Sequence, residues 1–143
     1  IVCQDIGPNL QQFRYTTYVT DPTTKKYHGV LPFEYYNSGI ELLQEKIRDP
    51  YFFVFSDDPK AVRARMQFER PVTYVMHNTP EKDYEDFRLM CNCRHFIIAN
   101  SSFSWWAAYL SKNQNKTVIA TSRWFNGIPY NPKDRIPDTW IQL

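Results

Sequence analysis

The sequence predicts an α/β fold, a parallel, doubly wound sheet with helices on both faces. Three observations carry that prediction. Short β-prone runs recur at residues 51–55, 72–75, 95–99 and 117–121. Segments with helical spacing separate them. Two small polar clusters, Ser56-Asp57-Asp58 and Asn100-Ser101-Ser102, directly follow strands, on the carboxyl edge where such sheets bind ligands.

The elements follow in order. Phe33, Tyr36, Ile40, Leu43 and Ile47 recur at threes and fours, the stripe of an amphipathic helix. Pro32 suits its start, and Asp49-Pro50 stops it. Tyr51-Phe52-Phe53-Val54-Phe55 is continuously apolar, as in a strand covered on both faces. Pro59 then opens a short helix with Asp58 as its cap, and residues 72–75 form another strand. Residues 83–93 read as a helix with Tyr84, Phe87, Met90 and Cys91 inward. The strand at 95–99, a helix at 104–112 and a strand at 117–121 complete the pattern. Residues before 27 and after 125 show no clear periodicity; the tail with Pro129, Pro132 and Pro137 is expected to be an extended surface strap.

At 143 residues the chain has the length of one ordinary domain. Seventeen Lys and Arg against fifteen Asp and Glu leave a net charge of +2, which argues against a bulk electrostatic nucleic-acid binder. Cys3, Cys91 and Cys93 make neither a disulfide framework nor a zinc pattern, so buried thiols in a reducing compartment are expected. No signal peptide or apolar run of about 20 residues is present. The chain opens on Ile1 rather than Met, as expected of a fragment or a processed product.

The segment from His95 to Leu110 is the most informative. A strand, the turn Asn100-Ser101-Ser102 and a helix N-terminus make up a phosphate-binding arrangement. Free N–H groups of the first helical turn and the helix dipole both favour an anion there. Self-capping by Ser is the rival reading.

FFVFSDDP, DFRLMCNCRHFIIANSSFSWWAAYL, KTVIATSRWF and PDTWIQL together resemble the carboxyl-terminal part of bacterial α-1,2-fucosyltransferases of glycosyltransferase family eleven. Residues 18–36 are similar to the stretch after that family's first motif. The resemblance covers residues 18–143; residues 1–17 stay unassigned. It implies a Rossmann-like GDP-fucose-binding domain, the carboxyl-terminal half of a GT-B glycosyltransferase whose amino-terminal acceptor domain is absent. It further implies inverting, metal-independent fucose transfer to a galactose-terminated glycan, with GDP-fucose as donor and no cofactor. The expected location is cytoplasmic and peripheral to the membrane, or the Golgi in a eukaryote.

The resemblance places Asp86 at the guanine, Asn100, Ser101 and Ser102 at the diphosphate, and Asp57 and Asp58 beside the nucleotide and sugar. The first motif, His-x-Arg-Arg-Gly-Asp-Tyr, is altered to Gln12-Phe13-Arg14-Tyr15-Thr16-Thr17-Tyr18. Arg14 falls at its first arginine and is expected at the diphosphate. Catalytic candidates are Arg14, Asp57 and His28. The departing diphosphate gains negative charge, so pre-placed donors and an arginine fork lower the barrier.

Bland roles compete. Asp58 suits an N-cap, and His28 before Gly29 suits a turn. Trp105 and Trp106 are expected in the core rather than under a sugar. Arg63, Arg65 and Arg70 read as a solvated helix face and its exit. The sequons Asn100-Ser101-Ser102 and Asn115-Lys116-Thr117 are expected to be unused. Two further readings stay open: a non-catalytic nucleotide-sugar-binding remnant, and an interaction domain of the same fold.

Overall fold

A computed structural model describes residues 2–4, 26–56, 59–76, 80–126 and 131–143, the first of these by backbone alone. Its strands are β1 (Val2–Gln4), β2 (Phe52–Phe55), β3 (Val72–Val75), β4 (Phe96–Ile97), β5 (Val118–Ala120) and β6 (Ile141–Gln142). Its helices are α1 (Phe33–Lys46), α2 (Pro59–Arg65), α3 (Asp83–Met90) and α4 (Ser102–Leu110). The six strands form one sheet in the order β3-β2-β1-β4-β5-β6.

The α/β class stands, but the sheet is mixed rather than wholly parallel. β2 and β3 pair parallel, as do β4 with β5 and β5 with β6. β1 runs antiparallel to both neighbours, with Val2 opposite Val54 and Ile97. The physical reason is that β2 and β4 each present an inner row of N–H and C=O groups that must be paired. Three residues lying between them satisfy both rows in either direction. The other five strands point the same way, so their carboxyl ends share one edge.

Both faces are covered, as the alternating strand residues require. Phe96, Ile98, Val118 and Ala120 pack with Met90, Ala107, Ala108 and Trp124 on the α3–α4 side. Ile97, Ala99 and Ile119 pack with Tyr35, Tyr36, Ile40, Leu43 and Val62 on the α1–α2 side. Gly39 of α1 lies so close to β4 that a Cβ there would stand 2.9 Å from Ile97. Lys116 donates to the carbonyls of Tyr109 and Ser111, closing the last turn of α4 with a cation.

Three expectations change. On α3 and its C-cap the expected Phe87, Met90 and Cys91 do pack against the core, but Tyr84 is 60% exposed and Asp86 and Leu89 are buried beside Met90. The proline-rich tail is no strap: it supplies β6 and buries Ile136 and Trp140. Cys93 is disulfide-bonded and not a thiol, while Cys91 is free and half-buried, with desolvation raising its pKa.

Candidate functional site

The carboxyl edge carries Ser56 after β2, Asn100 after β4 and Thr121 after β5, all buried. The chain leaves β1 on one side and enters the other wing at β4, so the turn after β4 sits at the topological switch.

Tyr35 from α1 fixes the end of β4. Its hydroxyl donates to the Ile98 carbonyl at 2.7 Å and lies 3.3 Å from the Ile119 carbonyl. Burial pushes its pKa well above the ordinary tyrosine value, keeping the hydroxyl a neutral donor. Two residues on, the Asn100 amide nitrogen donates to the carbonyls of His28 at 2.6 Å and Trp124 at 3.2 Å. One buried side chain thus joins three segments.

Ser101 is the N-cap of α4, in extended backbone (φ −126°, ψ 127°), and makes no side-chain cap hydrogen bond. Self-capping by Ser101 is therefore not what shapes this turn. Ser104 instead turns its hydroxyl back to the carbonyls of Ser101 and Ala99, at 2.8 and 3.3 Å. The helix begins at Ser102, two residues earlier than the sequence suggested, and Ser102 is exposed at its first position.

Ser102 opens a pocket of about 220 Å³ whose other walls are Trp105, Trp106, Trp124, Asp134 and Arg135. The Trp105 indole N–H donates to the Arg135 carbonyl at 2.6 Å, which ties the tail to α4. Trp105 stacks on Tyr109 with ring centroids 4.8 Å apart, and Trp106 is 50% exposed. The Arg135 guanidinium lies 5.0 Å over Phe125, and the His28 imidazole is also near that ring, at 5.3 Å. Gly29 follows His28 with φ +70°, a conformation that glycine adopts without strain.

The fold thus gathers His28, Asn100, Ser101 and Ser102 at one locus. Asp86 lies on the inward face of α3, only 2% exposed, so it is no ordinary solvated carboxylate, and its neighbour Phe87 meets Phe103 of α4 with ring centroids 5.2 Å apart. Arg14, Asp57 and Asp58 lie outside the described residues. Trp124, Asp134 and Arg135 were not singled out from the sequence. The pair Ile136 and Trp140, four apart and both buried, was the signal that the tail joins the body. Nothing local marks Arg135 itself.

Among the described residues no three His, Cys, Asp or Glu side chains cluster as a metal site would need. No helix among them is long and apolar enough to cross a membrane.

The family model described as Glycosyl transferase family 11 matches residues 12–141. The chain is 35% identical over 146 aligned positions to the O-antigen biosynthesis glycosyltransferase WbnK of Escherichia coli, covering all of this chain and 47% of that protein. It is 36% identical over 130 positions to an alpha-1,2-colitosyltransferase of Escherichia coli, covering 88% of this chain and 44% of that one. The chain therefore spans less than half the length of both relatives. No solved structure matches.

Proposed function

Because the chain belongs to glycosyl transferase family 11, we propose that it is the donor-binding part of an α-1,2-fucosyltransferase. The reaction would move L-fucose from GDP-fucose to a galactoside hydroxyl, with inversion and without a metal. In this reading residues 18–143 are the Rossmann-like carboxyl-terminal half of a GT-B enzyme, and an amino-terminal half supplies the rest of the acceptor cleft.

One observation carries the proposal. The Asn100-Ser101-Ser102 turn ends a central strand and starts a helix whose N-cap side chain leaves the first-turn N–H groups to a ligand. Those donors, the Ser102 hydroxyl and the dipole of α4 stabilise the charge that grows on the departing diphosphate. Arg14 adds a fork-shaped cation. Buried Asp86 accepts from the guanine edge, and Asp57 takes a ribose or fucose hydroxyl, with Asp58 beside it. His28, held at its carbonyl by Asn100, is the candidate for the acceptor side. The name of the colitosyltransferase relative supports the α-1,2 linkage and makes colitose the rival sugar.

Calorimetry with GDP-fucose, GDP and ADP tests the donor site. Binding of both guanine nucleotides with ADP excluded is the expected result. No heat from a folded chain would sink the reading. A second reading, a nucleotide-sugar-binding remnant, rests on the altered segment Gln12-Phe13-Arg14-Tyr15-Thr16-Thr17. It predicts GDP binding with no transfer even beside an amino-terminal half.

A further inference from the structure

The tryptophan pocket beside Ser102 has a chemistry that a diphosphate does not explain. Its volume, about 220 Å³, falls below the roughly 300–1,000 Å³ of sites that enclose drug-sized ligands. Its lining residues are Ser102, three tryptophans, one acidic residue (Asp134) and one basic residue (Arg135). The Asp134 carboxylate opposes an anion and accepts hydrogen bonds, while Arg135 donates them. Aromatic residues beside an acceptor and a donor match a neutral ring with an apolar C–H face and a hydroxyl edge. A pyranose has that form.

The walls are also fixed in advance. Trp105 is clamped between its bond to the Arg135 carbonyl and the stacked Tyr109 ring. Arg135 is braced over Phe125, and buried Ile136 and Trp140 anchor the tail that carries Asp134 and Arg135. Trp106 meets Trp105 edge-on at 4.9 Å and stays half exposed, so its ring is available as a platform. Preorganised walls lower the ordering cost of binding a small, weakly held sugar.

From this geometry we infer that the pocket is a sugar subsite holding one neutral pyranose of the acceptor glycan, with its apolar face on Trp106 and its hydroxyls between Asp134 and Arg135. The inference rests on the donor reading above, because Ser102 joins the two sites and a sugar here lies next to the diphosphate turn. It replaces the expectation that Trp106 serves only the core.

The test titrates methyl β-galactopyranoside and methyl α-fucopyranoside separately into the full chain, followed by tryptophan fluorescence, with GDP binding measured in parallel by calorimetry. The wild type should show a saturable response to the galactoside. Trp106→Ala should weaken it at least tenfold and Asp134→Asn severalfold, with GDP affinity unchanged within twofold in both. Trp106 is half exposed, so its removal leaves the core intact, and Asp134→Asn supplies an isosteric second probe. A response to the fucoside instead would reassign the pocket to the transferred sugar and overturn the acceptor assignment. Loss of GDP affinity in Trp106→Ala would give the pocket to the nucleotide and overturn it too. GDP binding without any saccharide response would remove the subsite and leave the donor site standing. Silence toward both ligands would remove both.

Discussion

Asn100 and His28, 72 residues apart, are joined by a 2.6 Å hydrogen bond from the Asn100 amide to the His28 carbonyl. The same amide also reaches Trp124. Asn100 therefore sets where the turn stands relative to two other segments. Asn100→Ala leaves two carbonyls without this donor and should cost about 2–3 kcal/mol. Asn100→Asp offers a carboxylate where a donor is needed and should cost at least as much. Urea unfolding checks both, and GDP affinity should fall alongside stability.

Gly29 sits at φ +70°, and a Cβ there would stand 2.5 Å from the Asn126 side chain. That side chain is held by Arg123, whose Nε and Nη2 donate to its Oδ1. Gly29→Ala should therefore destabilise the chain by about 2 kcal/mol, from left-handed backbone strain plus the contact. An unchanged urea midpoint would show that the loop relaxes freely.

Tyr35 makes stability depend on pH at the alkaline end. Its pKa is raised above the unfolded value of about 10 by burial. Below that value both states hold the proton and stability is flat. Above it the unfolded chain loses the proton first, and this group's contribution falls by about 1.4 kcal/mol per pH unit until the folded value is reached. Tyr35→Phe should cost about 1 kcal/mol at neutral pH and make the decline above pH 10 shallower. Thermal melts of both proteins across that range measure the difference in slope.

Asp86 is buried on the inward face of α3, and the proposal gives it the guanine edge. Asp86→Asn keeps its shape but not its charge or its full accepting capacity. GDP affinity should drop by about tenfold or more, and the preference over ADP should shrink with it. Retained preference would assign Asp86 a packing role only.

Tyr15→Arg restores the second arginine of the family's first motif. Transfer that appears only in this variant, assayed beside an amino-terminal half, would mark the natural chain as an impaired enzyme. Binding without transfer in both would favour the remnant.

Much of the frame was legible locally. The three-and-four spacing of Tyr36, Ile40 and Leu43 marked α1, and the apolar run at 52–55 marked a strand covered on both faces. The turn at Asn100 was readable because a strand, small polar residues and a helix start are contiguous in the chain. On α3 the apolar spacing correctly marks Phe87, Met90 and Cys91 as core-facing, but spacing alone does not reveal that Tyr84 is exposed and Asp86 buried. The antiparallel sense of β1 had no local signal, since a three-residue strand satisfies its neighbours in either direction.

The sequence by itself determined the α/β alternation, the strand–polar turn–helix junction at Asn100 and the family, because each is written in contiguous residues or short repeating intervals. Only the tertiary structure decided the direction of β1, the strand made by the tail and the burial of Asp86. It alone brought Asp134 and Arg135 to Ser102 and the tryptophans. Those outcomes depend on which surfaces meet once both sheet faces are covered, and sequence spacing carries no record of a contact made across thirty or more residues.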